Sequence, residues 1–337
     1  MKLRNAAVVA LLFLLAGCGP AEEATTPAEN AVSQNELFDS AVQQMSTAYF
    51  SYVPESATAL GIPETVVAGT SERMMDRSVA GNELRNEAFE TALAGLRSVD
   101  AAALSSDRQR TYAVLVTLFD GALSPSRVVD YGTTAGAWSM WYLPYPITQN
   151  SGPTVDIPNF LNSQQPVTTA EEAETYLVRL ASVKDALAGS LESYKRGVEQ
   201  GAIPPDFIVE KSLAVVEAFI EPEAGRNVLF LSFVERLEQA GIEDAESYAD
   251  RALKIIDAEV IPGYQKIADY MAEIRSSAPH DAGVWRLPNG EALYAAMIRH
   301  MTDSNLSADE IHRTGLDEVN RITSQMDAIL RAEGYTD

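Results

Sequence analysis

A long apolar repeat spans residues 176–198, and its spacing is that of an α-helix. Its apolar residues recur every three or four positions, which places them along one face. Thr169 and Glu172 stand where a capping box opens a helix, and Gly201 lies where a helix would end. A face of this kind has to be buried against other elements. The repeat consists of Tyr176, Leu177, Leu180, Val183, Leu187, Leu191, Tyr194 and Val198.

Shorter helical repeats occur along the rest of the chain, and no strand-like alternation of any length is present. Pro262 interrupts the repeat of residues 244–275 without ending its period, which predicts two helices or one kinked helix. The fold is therefore predicted to be all-α, with long amphipathic helices around one core.

Residues 128–166 depart from this pattern, because they are rich in aromatic residues, proline and glycine and show no helical period. We predict a long ordered loop here, and such loops are often functional. Aromatic rings can line a ligand cleft or simply fill the space between helices. Trp138, Trp141 and Tyr145 are therefore candidate cleft-lining residues.

The first residues have the layout of a secretory signal peptide. Lys2 and Arg4 precede an apolar run at residues 6–16, which is too short to span a bilayer. The run closes with Leu15-Ala16-Gly17-Cys18, which resembles the lipobox of bacterial lipoproteins. We predict a lipoprotein signal peptide at residues 1–17. The alternative is an ordinary signal peptide followed by an incidental cysteine.

Cys18 would then be the acylated first residue of the mature protein, and its acyl chains would attach the protein to a membrane. Residues 18–34 lack an apolar face and are predicted to be a flexible lipid-anchored tether, with a helical domain at residues 35–337. Gly19 occupies the position where an aspartate usually retains lipoproteins at the inner membrane. We therefore expect a cell-envelope protein on the outer membrane, facing the periplasm.

The charge of the chain excludes one class of partner. There are 48 acidic residues against 25 basic ones, a formal net charge of −23. Nucleic acid binding depends on neutralising phosphates with lysine and arginine, so we expect no nucleic acid partner. The folded body is also a poor match for an anionic membrane surface. Its acidic surface is more simply a source of solubility.

Several catalytic signatures are absent from the sequence. A helical zinc hydrolase would show His-Glu-x-x-His, and a serine hydrolase would show Gly-x-Ser-x-Gly; neither occurs. What remains is Asp309, Glu310 and His312, near the start of a predicted helix that Ser307 and Glu310 would cap. Asp309 could orient His312 and raise its pKa. Alternatively, these residues serve only the helix start, with His312 half-buried.

Motifs along most of the mature chain resemble the bacterial domain-of-unknown-function family 885. The C-terminal stretch, residues 286–322, is the most specific, and shorter agreements precede it. These are Pro54-Glu55-Ser56-Ala57-Thr58, Gln149-Asn150-Ser151-Gly152-Pro153, Tyr176-Leu177-Val178-Arg179-Leu180, Gly201-Ala202-Ile203-Pro204-Pro205, Leu287-Pro288-Asn289-Gly290, Arg299-His300-Met301-Thr302 and Ser307-Ala308-Asp309-Glu310-Ile311-His312.

The resemblance implies a secreted or lipid-anchored protein whose fold is half of a helical zinc metallopeptidase fold. The zinc motif of the family, His-Glu-x-x-Pro-Gly-His, follows the last matching stretch and is not part of this sequence. The chain is therefore expected to be the N-terminal portion of a family domain, to bind no zinc itself and to be inactive alone. Arg299, Thr302, Glu310 and His312 match the family pattern and are expected to support or line the cleft.

Three hypotheses follow from these features. The first is a lipid-anchored part of a peptidase-like domain, which forms one wall of a cleft for a peptide substrate. The second is a non-catalytic envelope lipoprotein that binds a peptide or a protein partner. The third is that these residues do not fold stably alone, because the last helix would expose an apolar stripe.

Overall fold

A computed structural model describes residues 32–132 and 142–335, and the statements below concern these residues. Cys18, Trp138 and Trp141 lie outside them. The α-helices are α1 (Gln34–Tyr52), α2 (Pro54–Ala59), α3 (Val79–Arg97), α4 (Ser106–Leu123), α5 (Pro153–Ser163), α6 (Ala170–Glu199), α7 (Asp206–Ile220), α8 (Val228–Ala240), α9 (Ala245–Ile255), α10 (Ile261–Arg275), α11 (Gly290–Thr302) and α12 (Ala308–Ala332). Where both partners are described, one isolated bridge joins Thr148 to Ser151. The all-α prediction is confirmed.

Helix α6 is the element around which its neighbours pack, and it contacts α3, α5, α9 and α10. Most of its predicted stripe is fully buried. The Thr169 hydroxyl caps it by accepting a hydrogen bond from the Glu172 backbone N–H at 3.2 Å. The Glu172 carboxylate accepts from the Thr168 N–H at 2.7 Å rather than from Thr169. One hydrogen bond of the predicted capping box therefore forms as expected, and the other is made to the residue before it.

The buried apolar side chains form three clusters rather than the single predicted core. The largest joins α5 to α10, a second joins α1, α3 and α4, and a third surrounds Tyr131 and Tyr145. A buried polar contact links α3 to α6 between the first two clusters. There the Asn82 amide donates to Ser193 Oγ at 3.1 Å and to the Gly132 carbonyl at 2.7 Å.

Helix α5 corrects the prediction that residues 128–166 contain no helix. It begins at Pro153, directly after Gly152, whose φ of +94° is a left-handed conformation that suits glycine. Its buried residues lie on one broad face, and the polar residues Asp156, Asn159 and Asn162 lie on the other side. Pro158 stands inside the helix, where a proline normally argues against a helix in sequence-based prediction.

The prediction at Pro262 was two helices or one kinked helix, and the structure shows α9 and α10 joined without a break. The helix continues from α9 into α10 through a π-helical stretch, Ile256–Val260. Proline has no N–H and its ring crowds the preceding turn, and the wider π turn relieves this. None of the described helices is both long and apolar enough to cross a membrane.

Candidate functional site: the groove between α11 and α12

A surface groove of about 390 Å³ lies between α11 and the beginning of α12. It falls within the C-terminal stretch that carries the most specific sequence motifs. Its lining residues are Glu291, Tyr294, Ala295, Ile298, Arg299, Ser304, Asn305, Leu306, Ser307 and Ala308.

Backbone conformation fixes both ends of α11. Asn289 precedes the helix at φ +56°, and Asp303 follows it at φ +49°. Both residues are in the left-handed region, which short polar side chains tolerate best after glycine. The Thr302 hydroxyl donates to the Ile298 carbonyl at 2.8 Å and holds the last turn. The chain therefore turns sharply into α12 and leaves the groove open beside the turn.

The start of α12 is held by the predicted capping box. The Ser307 hydroxyl accepts from the Glu310 N–H at 3.3 Å, and the Glu310 carboxylate accepts from the Ser307 N–H at 2.8 Å. The hydrogen bonds from Ser307 lower the pKa of Glu310 below its usual value of 4.5. Glu310 is therefore an ionised capping residue, and its carboxylate is committed to the helix start.

Two groove residues carry opposite charges. Arg299 is exposed and forms no hydrogen bond or ion pair with any residue that the structure describes. Glu291 lies eight residues earlier on the same side of α11. At 1.5 Å per residue, their backbone positions are about 12 Å apart along the helix. Tyr294 and Ile298 lie between them, so the groove has an apolar floor with an acid at one end and a base at the other.

The other predicted site residues do not converge on this groove. Asp309 and His312 are both exposed on α12, and in the described residues no hydrogen bond or ion pair joins them. His312 is therefore exposed, and not half-buried as the structural alternative expected. Thr302 serves the end of α11, as described above. Tyr145 is buried in the third cluster, where its hydroxyl accepts from Arg286 Nη2 at 3.0 Å. Burial raises the pKa of Tyr145.

Several family motifs instead meet one another in the interior. Arg286 donates to Tyr145 and to the Ile203 carbonyl, which joins two motif segments to the loop that contains Tyr145. Tyr131 donates to the Pro288 carbonyl in the same region. Gly290 admits the close approach of this loop, because a Cβ there would lie 2.0 Å from the Val284 carbonyl oxygen. These motifs therefore hold segments together.

A second set of motifs meets at Arg179, which is 0% exposed. Its guanidinium donates to Thr58 Oγ1 at 2.8 Å, to Gln165 Oε1 and to the Thr70 carbonyl. It also lies over the Phe160 ring, 4.9 Å from the centroid. Burial lowers the pKa of Arg179 to about 10, so the side chain stays charged at neutral pH. Arg179 thus connects α2, α5 and α6 through a buried positive charge.

Sequence reasoning missed Glu291 and the structural roles of Arg179 and Arg286. Glu291 could have been found, since its position eight residues before Arg299 places both on one helix face. The two arginines could not, because most of their acceptors lie 83 to 141 residues away and become neighbours only through the tertiary fold.

The described residues contain no group of three or more His, Cys, Asp and Glu side chains placed to hold a metal ion. The groove offers one guanidinium, one carboxylate and an apolar surface, which suits binding.

Residues 54–337 match the family described as bacterial protein of unknown function (DUF885), and the chain belongs to this family. This confirms the resemblance drawn from the motifs. The crystal structure of a candidate lipoprotein from Colwellia psychrerythraea has the same fold, with a TM-score of 0.82 at 23% identity. The match covers 91% of this chain and 52% of that one. The chain therefore spans about half the length of that protein. No curated protein matches it.

Proposed function

We propose that this chain is a lipid-anchored envelope protein, attached through Cys18, whose α11–α12 groove binds short peptides as one wall of a peptidase-like cleft. The proposal depends on one observation: Glu291 and Arg299 lie at opposite ends of a groove with an apolar floor. A free peptide carries an ammonium at one end and a carboxylate at the other. Three to four extended residues span roughly 10–14 Å, which fits the separation of the two charges.

Each end of the groove has a matching recognition chemistry. The Arg299 guanidinium can hold a terminal carboxylate through two parallel hydrogen bonds. The Glu291 carboxylate can accept from a terminal ammonium. Tyr294 and Ile298 would contact the side chains between them, and their exposed surface would be removed from water on binding.

The lipid anchor is supported by the residues that precede Cys18 and by the description of the Colwellia protein as a candidate lipoprotein. We infer that residues 35–337 form the first half of a larger helical domain; the order of the halves rests on the family motifs, and the larger size is supported by the match, which covers 91% of this chain and 52% of that protein. Any zinc and any catalytic base would be contributed by residues other than those described. The placement on the outer membrane, facing the periplasm, is part of the same proposal.

Calorimetric titration of the purified chain with free, N-acetylated and C-amidated tetra-alanine tests the groove. Exposed ion pairs contribute at most about 1 kcal/mol each, so we expect either blocked end to weaken binding roughly five-fold. Arg299→Met should remove the preference for a free carboxylate, and Glu291→Gln the preference for a free ammonium. Arg313→Met, on α12 outside the groove, is the matched control. Equal binding of all three peptides would refute the assignment.

A non-catalytic peptide-binding lipoprotein is the second candidate, and the lining of the groove, which offers groups for binding, favours it. Both candidates assign no peptidase activity to this chain alone, and incubation of the chain with zinc and assorted peptides tests this. We expect no metal-dependent turnover above that of a His312→Ala variant. Turnover above that control would show that the chain is itself a peptidase.

A further inference from the structure

The apolar face of α12 is open along its length. In the described structure α12 has no buried residue, and its large apolar side chains are about half exposed. The values are Leu316 52%, Val319 61%, Ile322 46%, Met326 56%, Ile329 64% and Leu330 43%. Monomeric proteins rarely expose contiguous apolar patches larger than a few hundred Å². A row of six such side chains on one helix therefore marks an interaction surface.

The spacing of this row is that of a helix-packing seam. Val319, Ile322, Met326 and Ile329 alternate by three and four residues, as the a and d positions of a heptad do. Leu316 and Leu330 widen the row on one side, which gives the broader face of a helix in a globular bundle.

Ion pairs stand beside the row rather than within it. Glu318 pairs with Arg321 at 2.6 Å, and Asp327 pairs with Arg331 at 2.7 Å. Charged pairs at the margin of an apolar seam are the usual arrangement where two amphipathic helices meet.

We propose that the α12 row is the docking face for a second helical body, namely the remaining half of the family domain. This inference rests on the proposal that residues 35–337 form a first half. The Colwellia protein, which shares the fold, extends over nearly twice the matched length and so has room for such a body. In an all-α architecture the matching surface would be another amphipathic helix, because apolar helix faces are buried against one another.

A membrane surface is a poorer match for the same face. Helices that lie in a membrane interface are rich in lysine and arginine on their polar side. Helix α12 carries five acidic residues against three arginines and has no lysine. Its polar side would therefore be repelled by anionic lipids, whereas a protein partner with mixed surface charge would not be.

Site-specific photocrosslinking tests the proposal. A photoreactive amino acid replaces Val319 or, separately, Ile329 in the chain produced with its own leader in the bacterium that encodes it. The matched control places the same group at Ser324, an exposed residue on the opposite side of α12. Two positions are used so that a local disturbance of one cannot decide the result.

We expect both row positions, but not Ser324, to crosslink to a helical segment of the same family domain, identified by mass spectrometry. A product of two copies of this chain, a lipid adduct, or no product at either row position would overturn the proposal. Peptide titration of the same preparations keeps the two proposals separate. Crosslinking without peptide binding would refute only the groove, and peptide binding without crosslinking would refute only the docking face.

Discussion

Arg179→Met is the substitution whose effect the structure defines most closely. The methionine retains most of the aliphatic stem and removes the guanidinium. It thereby leaves the Thr70 carbonyl, Gln165 Oε1 and Thr58 Oγ1 without the donors they have in the native protein. Hydrogen bonds to charged groups contribute about 1.5–3 kcal/mol each, so the three together stabilise the fold by roughly 4.5–9 kcal/mol.

The buried charge has an opposing cost that the substitution recovers. Burial lowers the pKa of Arg179 from 12.5 to about 10, and each pKa unit corresponds to about 1.4 kcal/mol. The cost of holding the charge in the interior is therefore about 3 kcal/mol. The difference favours the native arginine by roughly 1–6 kcal/mol, and we expect a loss of about 3 kcal/mol in the free energy of unfolding.

Urea unfolding followed by far-UV circular dichroism measures this change. Arg196→Met is the matched control, since Arg196 is on the same helix but pairs with Asp130 at the surface, at 2.6 Å. We expect the control to change stability by less than about 1 kcal/mol. Arg179→Met equal to the control, or more stable than the native chain, would show that the cost of burying the charge exceeds its hydrogen bonding.

Two further predictions concern the C-terminal region. Gly290→Ala should destabilise the protein by more than about 3 kcal/mol, because the new Cβ would collide with the Val284 carbonyl. Gly315→Ala on α12, where the new Cβ meets no other atom, should be neutral or stabilising by up to about 1 kcal/mol. Thermal unfolding of the two variants and the native chain measures both changes. The pKa of Glu310 is lowered in the folded state, so its contribution is complete above pH 4.5 and is lost as the pH falls through the lowered value. The first turn of α12 should therefore fray in acid. Amide hydrogen exchange near Ser307, measured between pH 6 and pH 3, would detect the loss of protection. Unchanged protection of these amides relative to the rest of the protein would contradict the prediction.

Features that depend on neighbouring residues could be predicted from the sequence. The cap of α12 requires only Ser307 and Glu310, three residues apart, and it forms as predicted. The stripe of α6 required only a repeat of three and four residues. Helix α5 was not predicted in this way, because it is short and contains Pro158, and an internal proline argues against a helix.

The groove lies within residues 286–322, the stretch that carries the most specific sequence motifs. The proposed pair Asp309 and His312 does not form in the described structure, because nothing packs around α12 to hold two exposed side chains together and an exposed ion pair gains little in water. The charges that do face one groove, Glu291 and Arg299, belong to the preceding helix.

The positions of the family motifs bear on where the chemistry of this family resides. Arg179 and Arg286 are motif residues that each join segments distant in sequence, and Gly290 lets the backbone of Val284 approach closely. The two arginine side chains donate to carbonyl, amide or hydroxyl oxygens of the protein, and the absence of a side chain at Gly290 leaves room for the backbone. A group committed in this way is not available to a substrate. These three motif residues therefore report how parts of the chain are joined, and the groups free to meet a ligand are the exposed ones in the C-terminal stretch, Arg299 and Glu291.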